Sequence, residues 1–95
     1  MSLERAPVPD HIERLAAVIV DSALKVHKAL GPGLLESVYE HCLVHELRKC
    51  GHAPQQQVNQ PIVYDGIKID SALRIDLFVD GEIVVDVKSA ASILP

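Results

Sequence analysis

Asp76 and, ten residues on, Asp86-Val87-Lys88 place two carboxylates and an amine in what reads as one β-hairpin. Such a group can hold a divalent metal beside a proton-transferring lysine. Mg²⁺ and Mn²⁺ take hard oxygen ligands and keep several waters, so two carboxylates and one backbone carbonyl are enough protein ligands. Residues two apart in a strand share a face, which points Asp86 and Lys88 the same way. A plain ion pair on an exposed strand has the same signature, and the residues alone leave both readings open.

The elements that must position these groups are legible from periodicity. Arg74–Val79 and Glu82–Lys88 are strand-like, rich in β-branched residues and divided by Asp80-Gly81. A two-residue Asp80-Gly81 loop would pair Val79 with Glu82 and send Asp76 and Asp86 to opposite faces. A three-residue loop with Gly81 left-handed instead pairs Phe78 with Glu82 and Asp76 with Val84, leaving Asp86 a diagonal neighbour of Asp76. The metal-site reading requires this second register.

Residues 1–9 read as a loose leader, and residues 10–95 as a single domain. Asp10 with Glu13 has capping-box character. Ile12, Leu15, Ala16, Ile19, Ala23, Val26 and Leu30 then define an amphipathic helix to about Leu30, ended by Gly31-Pro32-Gly33. Leu35, Val38, Cys42, Leu43 and Leu47 define a second helix to about Cys50, with Gly51 suited to a left-handed position beyond it. Gln55–Tyr64 is a strand interrupted near Pro61, Asp65-Gly66 a turn, and Ile67–Asp70 a return strand. The expected fold is α+β: two helices followed by a three- to four-stranded, largely antiparallel meander.

From the end of the first helix into the second runs Val26-His27-Lys28-Ala29-Leu30-Gly31-Pro32-Gly33-Leu34-Leu35-Glu36-Ser37-Val38-Tyr39. Taken in order, Gly-x-x-Glu-x-x-Tyr, Arg-Ile-Asp-Leu and Val-Asp-Val-Lys resemble the GxxExxY protein family, a branch of the PD-(D/E)xK nuclease-like superfamily, over Leu15 to Pro95. Asp86 stands where that family more often has Glu, which shortens the reach by one methylene. The resemblance implies a restriction-endonuclease-like core. It also implies a helix and strand beyond Pro95, so that the chain would be either a short form or part of a longer parent.

The resemblance further implies metal-dependent phosphodiester hydrolysis with Mg²⁺ or Mn²⁺ and a nucleic-acid substrate. Asp76, Asp86 and the Val87 carbonyl would ligate the metal, and Lys88 would orient or deprotonate the attacking water. Glu36 would complete the site through a water or a second metal; as a residue alone it reads as a solvated acid at a helix N-terminus. Tyr39, one turn after Glu36, could buttress that carboxylate, touch a phosphate or pack in the core. Arg74 could meet substrate, neutralise Asp76 or form a cross-strand salt bridge. A non-enzymatic interaction or regulatory module on the same hairpin is the rival function.

The remaining composition sets bounds. At 95 residues and 48% hydrophobic the chain supports one small core, and three aromatics make that core aliphatic. The net charge of −4 weighs against a general nucleic-acid binder. A metal would offset the charge of Glu36, Asp76 and Asp86. No apolar run approaches the roughly 18 residues of a membrane span, and no signal core is present, so a cytoplasmic location is expected. Cys42 and Cys50 read as buried thiols. His41 and His45 share a helical face, but no second Cys/His pair stands at zinc-site spacing, so a surface or packing role is expected. Ile75, Leu77, Ile83, Val85 and Val87 need cover from few elements, which points to self-association or a longer parent.

Overall fold

The computed structural model describes residues 8–88; the expected leader before residue 8 and the closing Ile93-Leu94-Pro95 lie outside them. Helices α1 (Asp10–Leu30) and α2 (Glu36–Lys49) precede strands β1 (Pro54–Tyr64), β2 (Ile67–Val79) and β3 (Ile83–Val85). The strands form one antiparallel sheet in the order β1-β2-β3. The architecture is α+β, consistent with a restriction-endonuclease-like core. Among the described residues no helix is long and apolar enough to cross a membrane.

The helices form where the apolar periodicity lies, but their ends differ from expectation. Asp10 is the first helical residue and Pro9 the cap, with no side-chain cap bond. Pro9 O instead accepts the N–H groups of Ile12 and Glu13 at 3.0 and 3.2 Å, so the capping box does not form. Gly51 does take the left-handed position (φ 85°) after α2, and His52 N–H donates back to Leu47 O. Lys25 of α1 meets Glu46 of α2 at 3.1 Å across the helix pair, and Lys49, one turn on in α2, meets the same carboxylate at 3.5 Å.

The meander has three strands because residues 67–79 run as one; Asp70-Ser71-Ala72 contains no turn-forming Gly or Pro. A register irregularity between Gln60 and Ile62 marks Pro61, which has no N–H to donate. The core gathers Leu15 and Ile19 of α1, Leu43, Val44 and Leu47 of α2, and Leu77, Val79 and Val87. Leu47, Leu77 and Val79 are fully enclosed.

Strand alternation turns Ile75, Leu77 and Val79 toward the helices, with Ile83 and Val85 packed beside them. The hairpin residues expected to lack cover are thus covered by α1 and α2. The uncovered apolar surface lies instead on the far half of the β1–β2 ribbon, where Ile62 faces Ile69 and Tyr64 faces Ile67. Cys42 is half-buried and Cys50 exposed, so only the first approaches the expected burial.

Candidate functional site

The β2–β3 turn decides where the carboxylates go. Asp80 and Gly81 both adopt left-handed backbone (φ 54° and 67°), as an Asp-Gly type I′ turn requires. Glu82 N–H donates to Val79 O at 3.0 Å. The ladder then pairs Val79 with Ile83, Phe78 with Val84 and Leu77 with Val85, leaving Glu82 as the extra residue. This is neither the two-residue pairing nor the expected Phe78–Glu82 register.

The reason is that Asp80 is pinned. Its carboxylate accepts the Ala53 N–H at 2.6 Å and meets the His52 ring at 2.7 Å, while its own N–H donates to Ala53 O. Those contacts hold a non-glycine residue left-handed and carry the turn one residue further. The displacement from the expected register is even, so faces are preserved. Continued one step, the ladder sets Asp76 opposite Asp86.

Asp76 is half-buried, and its Oδ2 accepts the Val87 N–H at 3.1 Å. Burial above all, with the neighbouring Asp86 and Glu40 charges, pushes its carboxyl above the usual carboxylate range; the Val87 N–H opposes this. Asp86 moves the other way, held down by its hydrogen bond with Asp76 and then by Lys88. Of the two, Asp76 is therefore the one that takes up a proton first on acidification. Lys88 Nζ lies 3.3 Å from Asp86 Oδ2, and that bond, with smaller contributions from Glu36 and Asp76, holds the ammonium above its ordinary value.

Glu36 occupies the first turn of α2, half-buried, near enough to Lys88 for its charge to be felt there. The tight grouping is Asp76, Asp86 and Lys88; no cluster of three or more His, Cys, Asp or Glu able to hold an ion occurs among the described residues. The Tyr39 hydroxyl donates to Gly31 O at 2.6 Å and accepts the Leu34 N–H at 3.1 Å. Its proton thus fastens the interhelical loop and is not available to buttress Glu36. Arg74 forms no salt bridge among the described residues; its Nε donates to Gln57 Oε1. His41 is tied to its own helix, at Ser37 O.

Two residues escaped the reading of the sequence. Glu40 is 7% exposed and sits in the buried stripe that continues through Leu43, Val44 and Leu47. A charge at the head of a core stripe was the available signal. Its Oε1 accepts from Gln56 Nε2 at 3.3 Å and Gln57 Nε2 at 3.0 Å, and Oε2 from the same Gln57 nitrogen at 3.2 Å. Gln57 itself has φ 53°, and no propensity marks a strand glutamine as left-handed.

The arrangement suits a hard cation. A half-buried carboxylate, Asp76, meets an exposed one, Asp86, their mutual repulsion disfavours double ionisation, and both offer oxygen donors. Beside Asp86 and Lys88 an open, mainly apolar pocket of about 480 Å³ is walled by Val20, Leu24, Val26 and Leu43. The profile of the PD-(D/E)XK nuclease superfamily matches residues 13–95. No curated protein and no solved structure matches the chain.

Proposed function

Because the chain belongs to the PD-(D/E)XK nuclease superfamily, we propose that it hydrolyses phosphodiester bonds of nucleic acid with Mg²⁺ or Mn²⁺, as a member of the GxxExxY branch. The observation that carries this reading is the meeting of Asp76 with Asp86, with Lys88 on the outer oxygen of Asp86. Asp76, Asp86 and the Val87 carbonyl would hold the ion, with Glu36 reaching it through water. The ion would supply Lewis-acid stabilisation of the phosphate and an acidified water.

The chain's own residues do the rest. Asp86 and Lys88 neutralise each other in the free protein, which keeps the lysine protonated. An Asp86 carboxylate engaged elsewhere releases that ammonium to orient the attacking water or meet the phosphate. Arg74, exposed beside the site, offers the substrate a second cation. That no third ligating side chain stands beside Asp76 and Asp86 among the described residues favours the second reading, an interaction module that has kept the hairpin.

Cleavage of single-stranded, duplex and branched DNA, and of RNA, with Mg²⁺ and with Mn²⁺ separates the two. The nuclease reading expects metal-dependent cleavage of at least one substrate, reduced at least about 100-fold in Lys88→Ala, on the scale of a lost proton-transfer group. Lys88 is exposed, so its melting temperature should be unchanged. No cleavage by the wild-type protein, or equal cleavage by Lys88→Ala, rejects the assignment.

A further inference from the structure

The left-handed backbone of Gln57 is a second point at which the fold accepts strain beside Asp76. A non-glycine residue in this region costs on the order of 1 kcal/mol or more and persists only where its surroundings over-determine it. The flanking pairs are Gln56 with Leu77 and Val58 with Ile75; Gln57 therefore stands opposite Asp76 without completing a ladder pair. Its side chain is held at both ends. The Nε2 donates to both oxygens of the buried Glu40, and the Oε1 accepts from Arg74.

An amide spanning a guanidinium and a buried carboxylate is polarised from both sides, which strengthens each bond in the chain. Glu40 has no cationic partner among the described residues, and its hydrogen bonds there come from two glutamine amides. The relay thus ties the helix bearing Glu36 and Glu40 to the strand position facing Asp76.

We propose that Gln57 is a positioning residue: bridged between Glu40 of α2 and Arg74 of β2, it fixes the kink in β1 opposite Asp76 and so holds the Asp76 carboxylate against the Val87 amide and beside Asp86. This deepens the cation-site reading of the Asp76–Asp86 pair and rests on it for its functional meaning, though the geometry it claims exists in the metal-free protein. Glu40 acts through Gln57 and need not touch an ion.

Two substitutions separate backbone from side chain. Asn adopts the left-handed region readily but is too short to span Arg74 and Glu40, while Gly relieves the strain and removes the side chain. The readout in the metal-free protein is amide hydrogen exchange at Val87, whose N–H donates to Asp76, compared with the ladder amides of β2 and β3. Positioning by Gln57 predicts that Val87 loses about tenfold in protection in both variants, the scale of one weakened hydrogen bond, while Leu77 and Val85 keep theirs. A uniform fall would mark a merely structural role, and unchanged protection at Val87 in either folded variant would overturn the proposal.

Mn²⁺ binding, followed by electron paramagnetic resonance of the free ion, addresses the underlying reading separately. Affinity reduced about tenfold in Gln57→Asn is expected. Wild-type protein that binds no Mn²⁺, with Val87 still selectively deprotected in the variants, would sink the cation site and leave the positioning role standing. Should Gln57→Gly fail to fold, Glu40→Gln repeats the exchange test, since a neutral amide at position 40 weakens the same bridge and removes the buried charge.

Discussion

Asp76→Asn tests the site where it is most exposed to refutation. Burial and the neighbouring negative charges make the ionised Asp76 a cost to the free protein. A carboxyl raised in the folded state contributes its stability below the unfolded value of about 3.9 and loses it as pH rises through the folded value. At neutral pH the charge is therefore unfavourable, and an isosteric neutral amide removes it. Against this, the Val87 N–H exchanges a charged acceptor for a neutral one, a loss of about 1 kcal/mol. The two effects oppose, so the net change should lie within about 1 kcal/mol, or roughly 4–8 °C for a domain of this size. The relative stability of the variant should fall on acidification, as Asp76 itself takes up a proton.

Metal supplies the decisive contrast. An ion at about 100 times its dissociation constant stabilises by about 2.7 kcal/mol, which moves the midpoint by at least about 10 °C. Thermal melts with and without Mg²⁺ and Mn²⁺ should show that shift in the wild type and none in Asp76→Asn. A loss of about 2–5 kcal/mol in the metal-free variant, the range of a core truncation, would identify Asp76 as structural. A full metal shift surviving in Asp76→Asn would remove it from the ligand set.

Asp80 is held below the usual carboxylate range by the Ala53 N–H and by His52; its contribution is present above the unfolded value and is lost as pH falls through the lower folded one. Asp80→Asn, which tolerates the left-handed turn, should cost about 1 kcal/mol at pH 7, and pH-dependent melts should show the difference fading below about pH 4. The exposed side chains of Ile62, Tyr64, Ile67, Ile69 and Leu73 offer roughly 500 Å² per copy, so two ribbons facing each other would bury about 1,000 Å², the lower bound for a specific interface. We expect self-association through this surface. Light scattering should find a dimer at tens of micromolar that Tyr64→Asp or Ile69→Asp abolishes, and a wild-type monomer at that concentration would refute it.

Much of this was legible in the chain because the helices announce themselves by apolar spacing and the turns by Asp-Gly. Asp86 and Lys88, two residues apart, meet just beyond the end of β3 at Val85, and Asp76 joins them because the register moved by an even step. What stayed hidden depends on partners distant in sequence. Asp80 is held in its left-handed turn by Ala53 and His52 from the loop after α2. Pro9 displaces the capping box because its carbonyl reaches the first-turn amides as the Asp10 side chain was expected to. Glu40 and Gln57 acquire meaning only once α2 lies against β1. The long β2 reads as two strands from sequence because Asp70-Ser71-Ala72 interrupts the β-branched run while its pairing partner is unknown.

The Tyr39 hydroxyl, which closes the turn between the helices onto Gly31 and Leu34, also bears on the order in which the molecule is made. Contacts so near in sequence close on timescales of about 10–100 ns, so the helical hairpin can assemble as soon as it emerges from the ribosome. Its buried stripe at Leu43, Val44 and Leu47, however, packs against Leu77 and Val79. Those residues follow about 30 positions later, a delay of roughly 2–6 s at ordinary rates of translation. During that interval the nascent helices present a bare aliphatic face with Glu40 at its head, and the buried carboxylate that later braces the site serves first as the one charge keeping that face in water.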